Sequence, residues 1–255
     1  MDDLDFEQVP ADGKITHGTL GDERLTGQAS TYGTMVAISR TDIINDDLGA
    51  LTDVPRRLGR AAGQKLRRLF WSAFLASDGH FDVGAGNQVD GVLTDDGEDL
   101  QTALIAFRRM RSPAADGSRL LGGAPAVMLV SPNDEIVARR LINSAGIVAG
   151  GGSTATTIGS ANPFANLAKL VVVDWLVDES LGGTAGTREF YLFRSPSLLP
   201  AMLVLAIGGR VEPTVETAEA DFSTLGILMR GYSDIGVARG EPLAGLKITG
   251  NPIET

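Results

Sequence analysis

The sequence predicts an α+β fold, and both its composition and its hydrophobic patterns support that prediction. The chain has 255 residues with 32 glycines, while aromatic residues make up only 5% of it. Such a composition favours strands and loops over a helical bundle. Two segments nevertheless have apolar residues at helical spacing, and several others are runs of β-branched and aromatic residues. The length allows one large domain or two closely joined ones.

Charge and cysteine content exclude several classes of function. The formal net charge is −10, so the chain would repel nucleic-acid phosphates rather than bind them generally. Cysteine is absent, which rules out disulfides, a cysteine nucleophile and a thiolate zinc site. Residues 1–7 are acidic and lack the features of a signal peptide. No apolar segment has the length that a membrane span needs, so we expect no membrane partner.

The first 40 residues predict an acidic arm followed by an extended hairpin. The arm covers residues 1–13. Residues 14–20 and 31–38 are rich in β-branched residues and predict the two strands of the hairpin. The hairpin has too few apolar residues for a core of its own, so it needs a partner surface. Two interpretations stay open: the hairpin folds back on its own domain, or it lies on a neighbouring subunit.

A long basic helix is predicted over residues 53–76, with Asp53 as its N-cap and Pro55 in its first turn. Apolar residues at helical spacing predict one continuous buried stripe, formed by Val54, Leu58, Ala61, Ala62, Leu66, Leu69, Phe70, Ala73 and Phe74. The basic residues are Arg56, Arg57, Arg60, Lys65, Arg67 and Arg68. These charges form either a solvated face or a surface that pairs with acidic segments of another subunit. The overall charge disfavours a DNA-binding groove.

A second helix is predicted over residues 95–111. Acidic residues stand at its start and arginines at its end, which complements the helix dipole. The acidic residues are Asp95, Asp96, Glu98 and Asp99. Their spacing is not that of a calcium-binding loop, so we interpret the cluster as helix capping and predict no metal site there.

A second subdomain is predicted to begin with a buried strand at residues 125–130. Ser131 then suits the N-cap of a helix that runs to about residue 144, with Pro132 in its first position. Residues 145–162 are rich in glycine, serine and threonine and predict an exposed loop. Further strands are predicted at residues 170–177, 189–193, 202–207, 211–216 and 225–232.

The chain contains no recognisable catalytic, metal-binding or cofactor-binding motif. Neither His17 nor His80 belongs to a zinc-protease pattern, and there is no Gly-x-Ser-x-Gly turn. The glycines around Gly146 to Ser153 lack the lysine of a phosphate-binding loop, because Gly152 stands in its place. We therefore predict no catalytic residue, no metal, no cofactor and no enzyme activity.

Four stretches carry a resemblance to a known family. They are Gly18 to Arg24 (GTLGDER), Tyr32 to Ala50 (YGTMVAISRTDIINDDLGA), Arg57 to Ala62 (RLGRAA) and the strand and helix from Pro125 to Leu141. Together they resemble the major capsid protein of tailed bacteriophages. The likeness is to the Mu-like major head subunit type, whose members are often encoded fused to a ClpP-like prohead protease.

The resemblance implies the HK-ninety-seven-type capsid fold, with an extended β-hairpin arm, a long spine helix in a peripheral domain, and an axial domain. The resemblance divides the chain into five parts. They are the N-terminal arm at residues 1–13, the extended hairpin loop at 14–40, the peripheral domain with its spine helix at 41–124, the axial domain at 125–195, and return strands of the peripheral domain at 196–255.

The resemblance also implies function and partners. Copies of the chain would form pentamers and hexamers and close into an icosahedral shell around double-stranded DNA, assembled in the host cytoplasm and present in the virion. Portal, scaffold and decoration proteins are further partners that it allows. The candidate inter-subunit residues are Glu23, Arg24, Tyr32, Asp46, Asp47, Arg56, Arg57, Arg60, Arg67 and Arg68. The alternatives are an encapsulin-like shell with protein cargo, a tail or adaptor ring, and an uncharacterised hydrolase with a carboxylate site.

Overall fold

The computed structural model describes residues 27–44, 48–76, 79–111, 120–147, 160–219 and 226–250. Its helices are α1 (Arg40–Ile44), α2 (Leu48–Leu75), α3 (Glu98–Arg109) and α4 (Glu135–Asn143). Its strands are β1 (Ser30–Ser39), β2 (Gln88–Asp90), β3 (Val127–Val130), β4 (Gly146–Ile147), β5 (Ser160–Ala161), β6 (Lys169–Val172), β7 (Phe190–Phe193), β8 (Met202–Ala206), β9 (Thr214–Glu219), β10 (Gly226–Arg239) and β11 (Gly245–Thr249). This mixture of helices and sheets confirms the predicted α+β class.

Sheet 1 is built around β10, the longest strand. β1 runs antiparallel along one side of β10, from the pair Ser30 and Ile235 to the pair Ser39 and Gly226. β9 and β8 follow one another along the other side. The predicted strand at residues 31–38 is therefore confirmed, and its partner among the described residues is β10. The predicted first strand of the hairpin, at residues 14–20, lies outside the described residues.

Sheet 2 has the strand order β2, β11, β7, β3, β6. Side chains alternate between its two faces, as they must in any strand. One face packs on α3 and α4 and forms the main core, to which the sheet contributes Met128, Val130, Phe190, Leu192, Leu246 and Ile248. From α3 the core takes Leu100 and Phe107, both fully buried. Each such side chain contributes about 1.5–3 kcal/mol to folding.

The helix α2 links the two sheets because it buries opposite sides in its two halves. Leu58 packs with Ile38 and Met229 against sheet 1. Phe74 packs with Tyr191 against sheet 2. These two residues of α2 are 16 positions apart, which at about 100° per residue places them roughly 160° apart around the helix axis. The predicted single stripe is therefore wrong: the apolar positions drift around a 28-residue helix and serve two different cores.

The start of α2 also differs from the prediction. The helix begins at Leu48, so Asp53 and Pro55 lie inside it and Asp53 is not its N-cap. The Asp53 carboxylate instead accepts a hydrogen bond of 2.6 Å from Nε of Arg57, one turn later. The far end of α2 is held by β10, where Nε of Arg239 donates to the carbonyl oxygen of Ala73 over 2.9 Å. A cation at a helix C-terminus is stabilised by the helix dipole.

Three further elements differ in detail. Ser131 does not cap the next helix; its hydroxyl donates to the carbonyl oxygen of Thr187, while residues Pro132–Asp134 form a 3-10 turn before α4. The predicted strand at 170–177 ends early, because Asp174–Val177 forms another 3-10 turn. Within the predicted loop 145–162, β4 and β5 pair as a short antiparallel hairpin base, and residues 148–159 lie outside the described part.

A buried arginine joins the elements around the main core. The guanidinium of Arg194 is 3% exposed and donates hydrogen bonds to the carbonyl oxygens of Phe107, Gly122 and Leu243. It also lies 4.4 Å from the centre of the Phe107 ring. Desolvation by burial lowers the pKa of Arg194 from its usual range. The Phe107 carbonyl near the end of α3 helps to offset that cost, since the C-terminus of a helix carries partial negative charge.

The predicted domain boundaries stay a prediction. The main core draws residues from α3 and from β11 as well as from residues 125–195. Packing alone therefore joins segments from three of the predicted parts, and the chain passes between the two sheets several times.

Candidate subunit interface

The basic side of α2 is an exposed, strongly charged surface. We call Arg56, Arg57, Arg60, Arg67 and Arg68 the arginine face; all five are exposed. In the N-terminal half of α2 they stand away from the side that Leu58 buries. The sequence indicated this exposed face, because these arginines stand at helix positions that the residues of the predicted apolar stripe do not occupy.

Only part of the arginine face is neutralised within the described residues. The carboxylate of Asp53 lies 2.6 Å from Nε of Arg57 and 3.9 Å from a terminal nitrogen of Arg60. The side chains of Arg57 and Arg60 are 74% and 71% exposed, so these pairs contribute little to stability, roughly 0–1 kcal/mol. No described carboxylate forms an ion pair with Arg67 or Arg68. This surface is therefore available to acidic groups of another molecule.

Tyr32 lies on the side of β1 that faces α2. Nζ of Lys65 is 4.6 Å from the centre of the Tyr32 ring, a cation–π contact. A groove of about 320 Å³ lies beside it, between sheet 1 and α2, with Leu58 and Gly231 among its lining residues. A Cβ atom at Gly231 would lie 3.2 Å from Cβ of Leu58, so the glycine allows the close approach of helix and strand. Tyr32 is thus half-buried against its own chain.

Four of the predicted contact residues cannot be placed. Glu23 and Arg24 lie outside the described residues, and so do Asp46 and Asp47. The structure therefore gathers the five arginines along one side of α2 and places Tyr32 on the side that Leu58 buries, beside Lys65. The predicted acidic partners lie outside the described residues.

The edge of sheet 1 offers a second surface. Among the described residues no strand pairs with the outer edge of β1, and Met35 in its centre is 62% exposed. The face of the sheet turned away from α2 carries polar pairs beside apolar residues such as Met35 and Leu228. There the hydroxyl of Thr31 donates to the Asp234 carboxylate over 2.6 Å, and Arg230 forms an ion pair of 2.6 Å with Glu216. Unpaired strand edges pair readily with other chains.

The face of sheet 2 that α2 covers is divided by Phe74 into two grooves. The polar groove has a volume of about 360 Å³ and contains His80, Glu189 and Lys247. Nζ of Lys247 lies 2.9 Å from the Glu189 carboxylate, which also accepts a hydrogen bond of 2.8 Å from the hydroxyl of Tyr191. Burial, followed by the charge of Glu189, raises the pKa of Tyr191 well above its usual value. Every one of these polar groups already has a partner or packs on a ring, as His80 does on Phe81.

The apolar groove lies on the other side of Phe74 and has a volume of about 390 Å³. Its lining residues include Phe70, Trp71, Leu129, Leu199 and Met202, which come from α2, sheet 2, the loop before β8 and the first residue of β8. Sequence reasoning assigned Phe70 to the buried stripe and did not anticipate this groove. A signal was present, because the aromatic residues of α2 are concentrated in its last two turns, where the apolar stripe has moved around the helix.

The acidic cluster before α3 has structural roles. The Asp96 carboxylate accepts hydrogen bonds from the Thr94 hydroxyl and from the backbone N–H of Glu98, and these bonds lower its pKa. Asp99 accepts from the backbone N–H of Val92, and Asp95 pairs with Arg140. Within the described ranges, no group of three or more histidine, aspartate or glutamate side chains is placed to hold a metal ion. No described helix is both long and apolar enough to cross a membrane.

The sequence matches a known protein family over most of its length. Residues 22–248 match the family model described as phage capsid protein. No curated protein matches the chain at a significant level of similarity.

Three solved structures share the fold at low sequence identity. The capsid of Cyanophage P-SCSP1u has a TM-score of 0.57 and 13% identity, with 99% of this chain and 82% of that chain covered. The capsid asymmetric unit of Cyanophage Pam1 has a TM-score of 0.56 and 11% identity, with 100% and 84% covered. A structure from Mycobacterium phage Che8 has a TM-score of 0.54 and 15% identity, with 96% and 80% covered.

Proposed function

This chain belongs to the phage capsid protein family, and on that premise we propose that its copies assemble through pentamers and hexamers into an icosahedral shell around double-stranded DNA. The chain is a structural protein of the capsid shell. It shares the fold of the solved capsid structures over nearly all of its length, which supports this proposal. We also propose that it has no catalytic activity and that the shell assembles in the host cytoplasm. The Mu-like subtype stays a prediction.

The arginine face is the observation that carries the proposed mode of assembly. It is exposed, and the described carboxylates of its own chain neutralise only part of it. α2 carries six basic side chains and one acidic one, so its net charge is +5 and the rest of the chain carries −15. The rest of a second copy is therefore net acidic and can offer carboxylates to this helix. Complementary charge of this kind sets orientation and association rate more than affinity.

We assign the inter-subunit contacts to the ten residues that the sequence indicated. These are Glu23, Arg24, Tyr32, Asp46, Asp47, Arg56, Arg57, Arg60, Arg67 and Arg68. A shell repeats each contact many times, so contacts of about 0–1 kcal/mol each can still direct assembly. We keep the proposed division into a peripheral domain at residues 41–124 and 196–255 and an axial domain at 125–195. Portal, scaffold and decoration proteins remain proposed partners.

The proposal is tested by reversing the charge of Arg56, Arg57 and Arg60 to glutamate. We expect the variant to fold, because all three side chains are exposed, and to form no shells. Negative-stain electron microscopy and mass photometry measure assembly, and circular dichroism measures folding. Normal shells from the folded variant would show that this face does not take part in assembly.

A matched control reverses Arg109, Arg139 and Arg210 instead. These arginines are also exposed, and they lie outside the assigned contacts. The control makes the same change in net charge, so it should still form shells. If both variants fail, net charge rather than the arginine face explains the effect. A wild-type chain that stays monomeric at every salt and protein concentration would contradict the proposed function itself, and protein cargo in place of DNA would favour an encapsulin-like compartment.

A further inference from the structure

We propose that the apolar groove beside Phe74 binds residues 3–7 of a second copy, Asp3-Leu4-Asp5-Phe6-Glu7. This inference rests on the proposed function, because assembly must bring a second copy within reach. It names a partner segment for a groove whose apolar lining the ten assigned contacts do not include, while Arg67 and Arg68 at its rim are among them.

The groove has the shape and composition of a peptide-binding site. Its volume of about 390 Å³ lies in the range typical of binding clefts. Phe70 and Trp71 are only partly buried in a single copy, and no described residue fills the space between them and Leu129. Leaving these rings in water loses the stabilisation that their burial would give. A segment with two or three apolar side chains would supply it.

The rim of the groove carries positive charge. Arg67 precedes Phe70 and Trp71 by three and four positions, so it lies on the same side of α2 as these two rings. Its side chain is exposed, and it forms no ion pair with a described carboxylate. Arg68 follows directly. The groove is therefore apolar at its floor and cationic at its edge, which favours an occupant that combines apolar and acidic side chains.

The segment Asp3 to Glu7 has this combination in a strict alternation. In an extended conformation, Leu4 and Phe6 would point to one side and the three carboxylates to the other. The apolar pair can then enter the groove while the acids remain near Arg67 and Arg68. Arginine forms bidentate hydrogen bonds with carboxylates, so it suits such a partner better than lysine does.

The length of the connecting chain permits contact with a neighbour. The first described residue, Gly27, packs beside Leu205 and Ala238. The twenty residues from Gln8 to Gly27 can span at most about 70 Å when fully extended. This exceeds the 42 Å or so that α2 itself measures along its axis, so the segment can reach the corresponding groove of an adjacent copy.

The absence of cysteine allows a direct test by disulfide trapping. One chain carries Gln8→Cys, which leaves Leu4 and Phe6 intact, and the other carries Pro196→Cys at the exposed rim of the groove. The two chains are mixed before assembly, oxidised, and run on a non-reducing gel. We expect a disulfide-linked dimer. The matched control replaces Pro196→Cys with Ser72→Cys, because Ser72 is exposed on the other side of α2, and its dimer yield should be at least several-fold lower.

Further measurements of disulfide yield decide the outcome. Adding Phe6→Ser to the Gln8→Cys chain should lower the yield to that of the Ser72→Cys control. Equal yields with Pro196→Cys and Ser72→Cys would overturn the inference. A third result would also overturn it: the disulfide forms within a chain that carries both Gln8→Cys and Pro196→Cys, but does not form between two chains that carry one cysteine each. The segment would then occupy the groove of its own chain. Shells that form without the specific disulfide would overturn this inference alone, whereas a wild-type protein that forms no shells would overturn the proposed function.

Discussion

Replacing Phe74 with alanine should detach the C-terminal half of α2 from sheet 2. Phe74 is 8% exposed, and its ring centre lies 5.1 Å from that of Tyr191 and 5.5 Å from that of Trp71. Phe81 and Phe193 are each 6.1 Å away. No other described residue of α2 is buried as deeply on this side of the helix.

The expected loss is about 3 kcal/mol in the free energy of unfolding. Truncating a buried phenylalanine to alanine costs about 3–5 kcal/mol. We take the lower end because grooves on both sides of Phe74 admit solvent to the space that the ring would leave. At roughly 2–4 °C per kcal/mol for a chain of this size, Tm should fall by about 6–12 °C.

The assay is denaturant and thermal unfolding of the unassembled subunit, followed by tryptophan fluorescence. Both tryptophans of the chain, Trp71 and Trp175, pack against the cluster that contains Phe74. Their emission in the folded state should therefore shift to longer wavelength in the variant, as water reaches them. The control Ser72→Ala changes an exposed position on the same helix and should alter stability by less than about 0.5 kcal/mol. A loss below about 1 kcal/mol with unchanged emission would refute the view that Phe74 anchors α2 to sheet 2.

The remaining predictions concern two glycines and one tyrosine. Gly63→Ala should raise the free energy of unfolding by about 0.5–1 kcal/mol, because a Cβ there meets open space on an exposed helical turn. Gly240→Ala should lower the free energy of unfolding, because its Cβ would overlap the carbonyl oxygen of Pro200. Denaturant titration compares the two variants, and a Gly240→Ala variant as stable as the wild type would contradict this packing. Tyr191 has a raised pKa in the folded state, so its contribution to stability is complete below the ordinary tyrosine pKa of about 10 and declines as the pH rises above that value. In the Tyr191→Phe variant, Tm should therefore fall less steeply between pH 10 and pH 11 than it does in the wild type. An equally steep fall of Tm in the variant would show that other groups cause the loss of stability.

Local pattern was enough to predict most of the helices and strands. The apolar spacing of residues 95–111 predicted α3 within three residues at each end, and the apolar runs predicted β3, β7 and β8. These elements depend on side chains that are close in sequence, so a short window contains the information. The arginine face was also predictable, since its charges recur along one helix.

Long-range pairing was not predictable in the same way. β1 pairs with β10, and the hydrogen bond from Thr31 to Asp234 joins residues 203 positions apart. The predicted partner of this strand was the neighbouring segment 14–20, because a hairpin is the simplest arrangement that sequence proximity suggests. Nothing in the local pattern of residues 31–38 distinguishes one edge from another.

The sequence by itself determined the class of fold, the resemblance to tailed-phage capsid proteins and the basic character of α2. Tertiary structure decided which residues of that helix face which sheet. Leu58 and Phe74 belong to the same amphipathic pattern, yet they pack on different sheets because 3.6 residues per turn moves an apolar row around a helix of this length. The apolar groove exists for the same reason, since it forms where three separate segments approach the rotated end of α2 without filling the space between them.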